Sequence, residues 1–198
     1  MRASGNRSCR FANERMAIAG LAICLGLPRA LNTMYDFKPD AGLDAAERYR
    51  QLCAAADALT ATESDSVANM ANVAALLWEF IPKLNWAGFY RVLEEDAGPA
   101  ELVLGPFVGR PACIRIPMGA GVCGTAAETA QTQLIEDVHA FPGHIACDSA
   151  SLSELVVPVV RDGQVIAVID LDSPEPARFT HDDAAGIEQL AQLLSNRV

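Results

Sequence analysis

Residues 154–172 constrain this chain more than any other stretch. Glu154 to Val160 and Gln164 to Asp172 read as two β-strands. Between them Arg161-Asp162-Gly163 supplies the Asp-Gly pair that tight hairpin turns prefer. Side chains alternate along a strand, so Ile166, Val168, Asp170 and Asp172 share one face and Val165, Ala167, Ile169 and Leu171 the other. Both faces are apolar, which requires a sheet covered on both sides. Asp170 and Asp172 then project together at the strand's end, roughly 7 Å apart from two residues of rise. Burying carboxylates there costs several kcal/mol unless each is paired or protonated. Arg161, the nearest cation in sequence, sits at the turn.

The elements around this hairpin follow from periodicity. Leu43 to Leu59 has helical spacing at Leu43, Ala46, Tyr49, Leu52, Ala56 and Leu59, with Asp44 and Glu47 favouring its start. Asp65-Ser66 caps a second helix to Phe80, whose expected apolar face is Val67, Met70, Val73, Leu77 and Phe80. Trp86 to Leu93 reads as a strand with Trp86, Gly88, Tyr90 and Val92 on one face. Gly88 between two aromatics leaves a gap the size of a small apolar group, or simply sits within an aromatic core pair. Glu101 to Gly105 returns as a hairpin partner, Cys113 to Pro117 is extended, and Gln133 to Ile135 is a further short strand. Gly119-Ala-Gly121 leads into a short helix, Val122 to Ala130, with Cys123 in its first turn, where exposed N–H groups and the helix dipole are expected to lower a thiol's pKa. Asp137 to Ser151 forms a long loop with His139, Pro142, Gly143, His144 and Cys147, of a length that usually closes over a site. Thr180 to Asp183 caps a last helix through Ile187, Leu190 and Leu194. This order describes an α+β domain with helices packed on a sheet.

Charge narrows the partners. Residues 1–33 carry five Arg and one acid, leaving ten basic and 24 acidic residues in the rest, a net of −14. A body that acidic argues against nucleic acid or anionic membrane and would attract a ligand ammonium. The six cysteines include no CxxC pair, which fits a reducing cytosol and thiols that are catalytic, redox-active or metal-binding. Cys9, Cys24 and Cys53 read as filler. Residues 1–34 form an extension in which arginines precede the apolar run Met16 to Leu27, the outline of a targeting segment. The segment reads first as a disordered or mis-started extension, since Met34 opens a natural-looking start, with targeting as the alternative.

Asn85-Trp-Ala-Gly-Phe-Tyr90, Gly105-Pro-Phe107, Gly119-Ala-Gly-Val-Cys-Gly124 and Val165 to Asp172, taken with cysteines 113, 123 and 147, resemble free methionine-(R)-sulfoxide reductase. The likeness covers residues 35–198. It implies a single GAF-like domain with a six-stranded antiparallel sheet packed between helices, the ligand lying under the loop that carries Cys147. It implies Cys147 as catalytic cysteine, Cys113 as resolving cysteine and Cys123 as an alternative partner. The implied acids are Glu154, Asp170 and Asp172, and Trp86 and Tyr90 are the implied aromatic wall. The implied reaction reduces the free sulfoxide through a sulfenic acid and an intramolecular disulfide, with no bound cofactor or metal and with electrons from NADPH through thioredoxin. Either Glu154 or Asp172 supplies the proton, and monomer and homodimer both stay open.

Two other functions compete. A Cys/His zinc-binding domain would draw on Cys113, Cys123, His139, His144 and Cys147, although structural zinc sites favour compact CxxC pairs. A GAF sensor would bind a cyclic nucleotide or tetrapyrrole, yet such a sensor generally works through an output domain, for which these 198 residues leave no room.

Overall fold

The computed structural model describes residues 37–94, 98–145 and 148–198. The chain divides into Met1–Asp36 and Phe37–Val198, and every described residue belongs to the second unit. The expectations for the N-terminal extension, Cys9, Cys24 and Cys147 therefore lie outside the described residues.

Helix α1 spans Ala45–Thr60 and begins where the Asp44 carboxylate accepts from Glu47 N–H at 2.8 Å. Helix α2, Ser66–Phe80, begins in the same way at Asp65, which accepts from Ala68 N–H at 2.7 Å. Each cap satisfies a backbone donor that the helix itself leaves free. The strands are β1 (Trp86–Leu93), β2 (Glu101–Gly109), β3 (Arg115–Pro117), β4 (Gln133–Ile135), β5 (Ser153–Arg161) and β6 (Gln164–Ser173). Helix α3, Gly121–Thr129, lies between β3 and β4. Helix α4, His181–Leu194, starts from a capping box in which Thr180 and Asp183 satisfy each other's backbone. The strands form one six-stranded antiparallel sheet in the order β3-β2-β1-β6-β5-β4.

The acid-bearing hairpin thus sits inside the sheet, and both of its faces are covered. On one side α1, α2 and α4 close the main core over Ala87, Phe89, Leu155, Val157, Ile169 and Leu171. On the other α3 covers a smaller core of Trp86, Tyr90, Leu102, Val156 and Val168, and the carboxylates are on this side. Asp162 and Gly163 turn with φ of 52° and 81°, as the Asp-Gly signal requires.

Three expectations change. Val67 is 48 % exposed, not part of the α2 apolar face. At 100° per residue it lies roughly a quarter-turn from the mean direction of Met70, Val73, Leu77 and Phe80. Strand β2 runs on to Gly109 instead of stopping at Gly105. An irregularity in the β1–β2 register absorbs one extra β2 residue beside Pro106, where a missing ladder donor is tolerated. Strand β6 also does not alternate throughout. Val159 pairs with Ala167 but Val160 with Val165, so Ile166 is an extra residue. It turns toward the main core and Val165 toward the smaller one, the reverse of simple alternation.

Candidate active site

Three adjacent strands bring the site residues onto one face. Trp86 of β1 pairs with Asp172 of β6, which pairs in turn with Glu154 of β5. One step along, Gly88 pairs with Asp170 and Asp170 with Val156. Three carboxylates therefore meet where the sheet is covered by the start of α3. That approach is close because Gly119 and Gly121 adopt φ of 77° and 61°, and because a side chain at Gly124 would strike the Pro117 carbonyl at 2.5 Å. It delivers Cys123 Sγ to 3.9 Å from Glu154 Oε1. Glu154 and Asp170 are each 6 % exposed, and Asp170 Oδ1 receives no hydrogen bond.

Burial raises all three acids. Glu154 is pushed well above the usual carboxylate range by burial and then by the charges of Asp170 and Asp172. Asp170 rises to about 7 through burial, tempered by hydrogen bonds from Cys123 and Glu154. Asp172 is also well raised, by burial and by Asp170, against a hydrogen bond from Ser151. Neighbouring carboxylates cannot all ionise cheaply, so the group holds protons at neutral pH. Glu154 and Asp170 are close enough to share a hydrogen bond, so a proton is held between the two.

Cys123 departs from expectation. Full burial, followed by the nearby charges of Asp170 and Glu154, pushes its thiol well above the ordinary value, not below it. Desolvation and two acids outweigh the helix N-terminus, and the thiol stays protonated. The gap beside Gly88 is also filled. A Cβ there would lie 2.4 Å from the Cβ of Phe107, which extended β2 places opposite. The wall is accordingly three rings: Trp86 stacks on Phe107 at 5.3 Å and on Tyr90 at 5.9 Å between centroids.

The pocket above the acids is lined by Tyr90, Cys123, His144, Ile145, Glu154, Asp170 and Asp172, among others. Its cavity volume is about 30 Å³, room for one or two waters. A second recess, about 10 Å³, shares Tyr90, Asp170 and Asp172 and reaches Trp86 and Ala112. Ile145 and Asp148, the described residues flanking the undescribed pair 146–147, both line the first pocket. Cys113, half-buried, packs against the aromatic core.

Three residues that the sequence did not assign to the acids join them here, His144 having been expected only as a zinc ligand. His144 Nε2 lies 3.9 Å from Glu154 Oε2, and burial lowers its pKa, which keeps the ring neutral. Asn85 Nδ2 donates to Asp148 Oδ2 at 3.2 Å and to Ser151 Oγ at 3.0 Å. Ser151 bonds Asp172 in turn, so a polar chain ties the end of the loop to the acids. By contrast His139 is exposed and hydrogen-bonds Asp137, away from this pocket. Among the described residues, the group able to converge on an ion is Cys123, Glu154 and Asp170, not the Cys/His set of the zinc reading.

The GAF-domain family profile matches residues 68–198. Free methionine-R-sulfoxide reductase from Escherichia coli is 51 % identical over 152 residues, spanning 77 % of this chain and 89 % of that protein. The Saccharomyces cerevisiae protein of the same name is 41 % identical over 160 residues, spanning 77 % and 87 %. The X-ray structure of the Neisseria meningitidis free methionine-R-sulfoxide reductase in complex with its substrate superposes with a TM-score of 0.75 at 43 % identity, covering 81 % of this chain and 93 % of that one.

Proposed function

The chain belongs to the free methionine-R-sulfoxide reductase family of GAF-domain proteins, and from that premise we propose that it reduces free L-methionine (R)-S-oxide to methionine by thiol chemistry. One observation carries the reading furthest. A small pocket with Tyr90 on its wall holds three acids with raised pKa values, and one buried carboxylate oxygen there, Asp170 Oδ1, has no donor. A substrate ammonium brings the donors and the charge that oxygen lacks.

The reaction divides between acid and thiol. A sulfoxide carries positive sulfur and negative oxygen, and a thiolate attacks the sulfur as the oxygen gains a proton. Glu154 or Asp172, both held protonated by burial and neighbouring carboxylates, is assigned that proton. Cys147 is assigned the attack. Oxygen passes to it, methionine leaves, and Cys147 becomes a sulfenic acid. A second thiol then condenses with the sulfenic acid, releasing water and forming a disulfide. Cys113, half-exposed beside the aromatic core, is assigned this role, with Cys123 as substitute. Burial and acids keep the Cys123 thiol protonated, which makes it the poorer nucleophile. Trp86 and Tyr90 hold the S-methyl group, while Asp170 and Asp172 take the ammonium, which selects a free amino acid over a peptide residue.

An external dithiol of the thioredoxin class, fed by NADPH, returns the disulfide to thiols, and the working compartment is a reducing one such as the cytoplasm. Residues 35–198 are the catalytic domain. Among the described residues no helix is long and apolar enough to cross a membrane. NADPH consumption with thioredoxin and thioredoxin reductase tests the reading. Free (R)-sulfoxide should turn over, and free (S)-sulfoxide and a peptide-bound sulfoxide should not. Equal rates on all three would overturn it.

A further inference from the structure

Side chains that line the acid pocket also have the makings of a chelating set. Cys123 Sγ, one Glu154 oxygen and one Asp170 oxygen lie within 4.8 Å of one another, and all three residues are buried. Ligand atoms around a tetrahedral ion with bonds of roughly 2.0–2.3 Å stand about 3.5 Å apart. Cys123 Sγ and Glu154 Oε1 are 3.9 Å apart, so small side-chain shifts bring them onto one ion. His144 Nε2 lies 3.9 Å from the other Glu154 oxygen and stands outside this set.

Buried acids with a thiol do not by themselves make a site. The independent observation is Asp170 Oδ1, an acceptor without a donor on a residue only 6 % exposed. Such an oxygen is satisfied by an N–H donor or by a cation. The donor types then choose the cation. Magnesium and calcium favour oxygen ligands and higher coordination numbers, whereas a thiolate beside carboxylates suits a borderline-soft ion in a four-coordinate site.

We propose that Cys123, Glu154 and Asp170 form a three-residue binding site for a divalent cation of the zinc class, its fourth position open to solvent, and that the ion takes the place of the substrate's ammonium. Binding itself stands on the geometry of the pocket; the exclusion of substrate rests on the function proposed above. Coordination displaces the Cys123 thiol proton, and any proton on the two carboxyls, into solvent. The ion and methionine sulfoxide therefore occupy the pocket in turn, and metal-loaded protein is inactive.

Cobalt(II), then zinc, added to reduced, metal-stripped full-length protein tests this. One cobalt ion per chain should bind with a sulfur-to-cobalt charge-transfer band and tetrahedral visible bands, and zinc should displace it. Affinity should fall at least tenfold in Cys123→Ser and in Asp170→Asn, and stay within threefold of wild type in Cys147→Ser and Cys113→Ser. Absence of the charge-transfer band in wild type would refute the site, whether or not a variant folds. A band that survives Cys123→Ser and vanishes in Cys147→Ser or Cys113→Ser would also refute it. In Cys147→Ser, which cannot turn over, excess free (R)-sulfoxide should weaken cobalt binding at least tenfold. Undiminished cobalt binding, with the sulfoxide shown to bind, overturns the exclusion and leaves the reductase reading standing. A sulfoxide that does not bind overturns that reading as well.

Discussion

Replacing Asp170 by asparagine should stabilise the protein while disabling it. In the unfolded chain the carboxyl has its ordinary value of 3.8, and in the fold burial raises it to about 7. Below pH about 4 it is protonated in both states and contributes no difference. Between those values the unfolded chain has lost the proton and the folded chain keeps it, so native stability falls as pH rises, by about 1.4 kcal/mol for each pH unit. Roughly three pH units separate the two values, which makes the accumulated cost above pH 7 about 4 kcal/mol. Asparagine keeps the shape and cannot ionise, and it removes a charge that also raises Glu154 and Asp172. Urea unfolding of reduced wild type and Asp170→Asn from pH 4 to pH 8 measures this. The two should agree near pH 4 and diverge in the variant's favour toward pH 8. Turnover should nevertheless drop at least tenfold, about 1.4 kcal/mol of transition-state stabilisation. A stability difference that stays flat across pH, or favours wild type more as pH rises, would refute the linkage argument. A folded variant with wild-type rates would remove the ammonium role.

Other perturbations separate the remaining parts. Glu154→Gln should fold and, if Glu154 is the proton donor, lose at least tenfold in turnover, because its amide cannot deliver the proton to the sulfoxide oxygen; steady-state rates beside a melting curve decide this. Cys147→Ser should abolish turnover, since a hydroxyl does not ionise near neutral pH, and substantial activity with thioredoxin would sink the assignment. Cys113→Ser should release about one methionine per chain in a single turnover and then stall or slow. Peptide mapping of substrate-oxidised wild type should find a disulfide involving Cys147. Gly88→Ala should cost about 1–3 kcal/mol of stability by overpacking against Phe107 and its backbone, and should raise KM as the Trp86 wall shifts; an unchanged melting temperature would contradict that contact.

The chain by itself determined the elements whose causes are local. Asp65 and Thr180 cap the helices they were expected to start, because a side-chain oxygen before an apolar periodic run is sufficient cause, and Asp44, expected inside the first turn, caps the first helix. The Asp162-Gly163 turn, the aromatic strand Trp86–Leu93 and the unusual position of Asp170 and Asp172 were legible for the same reason. Tertiary structure decided what depends on a neighbouring strand or on burial. The extra residue at Ile166 reverses which core Val165 and Ile166 enter, and only pairing with β5 reveals it. Phe107 fills the space beside Gly88 because the register of β2 carries it there. Cys123 sits at a helix start, a position that lowers thiol pKa values, yet its pKa rises. The dipole is a property of the helix alone, whereas desolvation and the charges of Asp170 and Glu154 exist only after the sheet has closed beneath it.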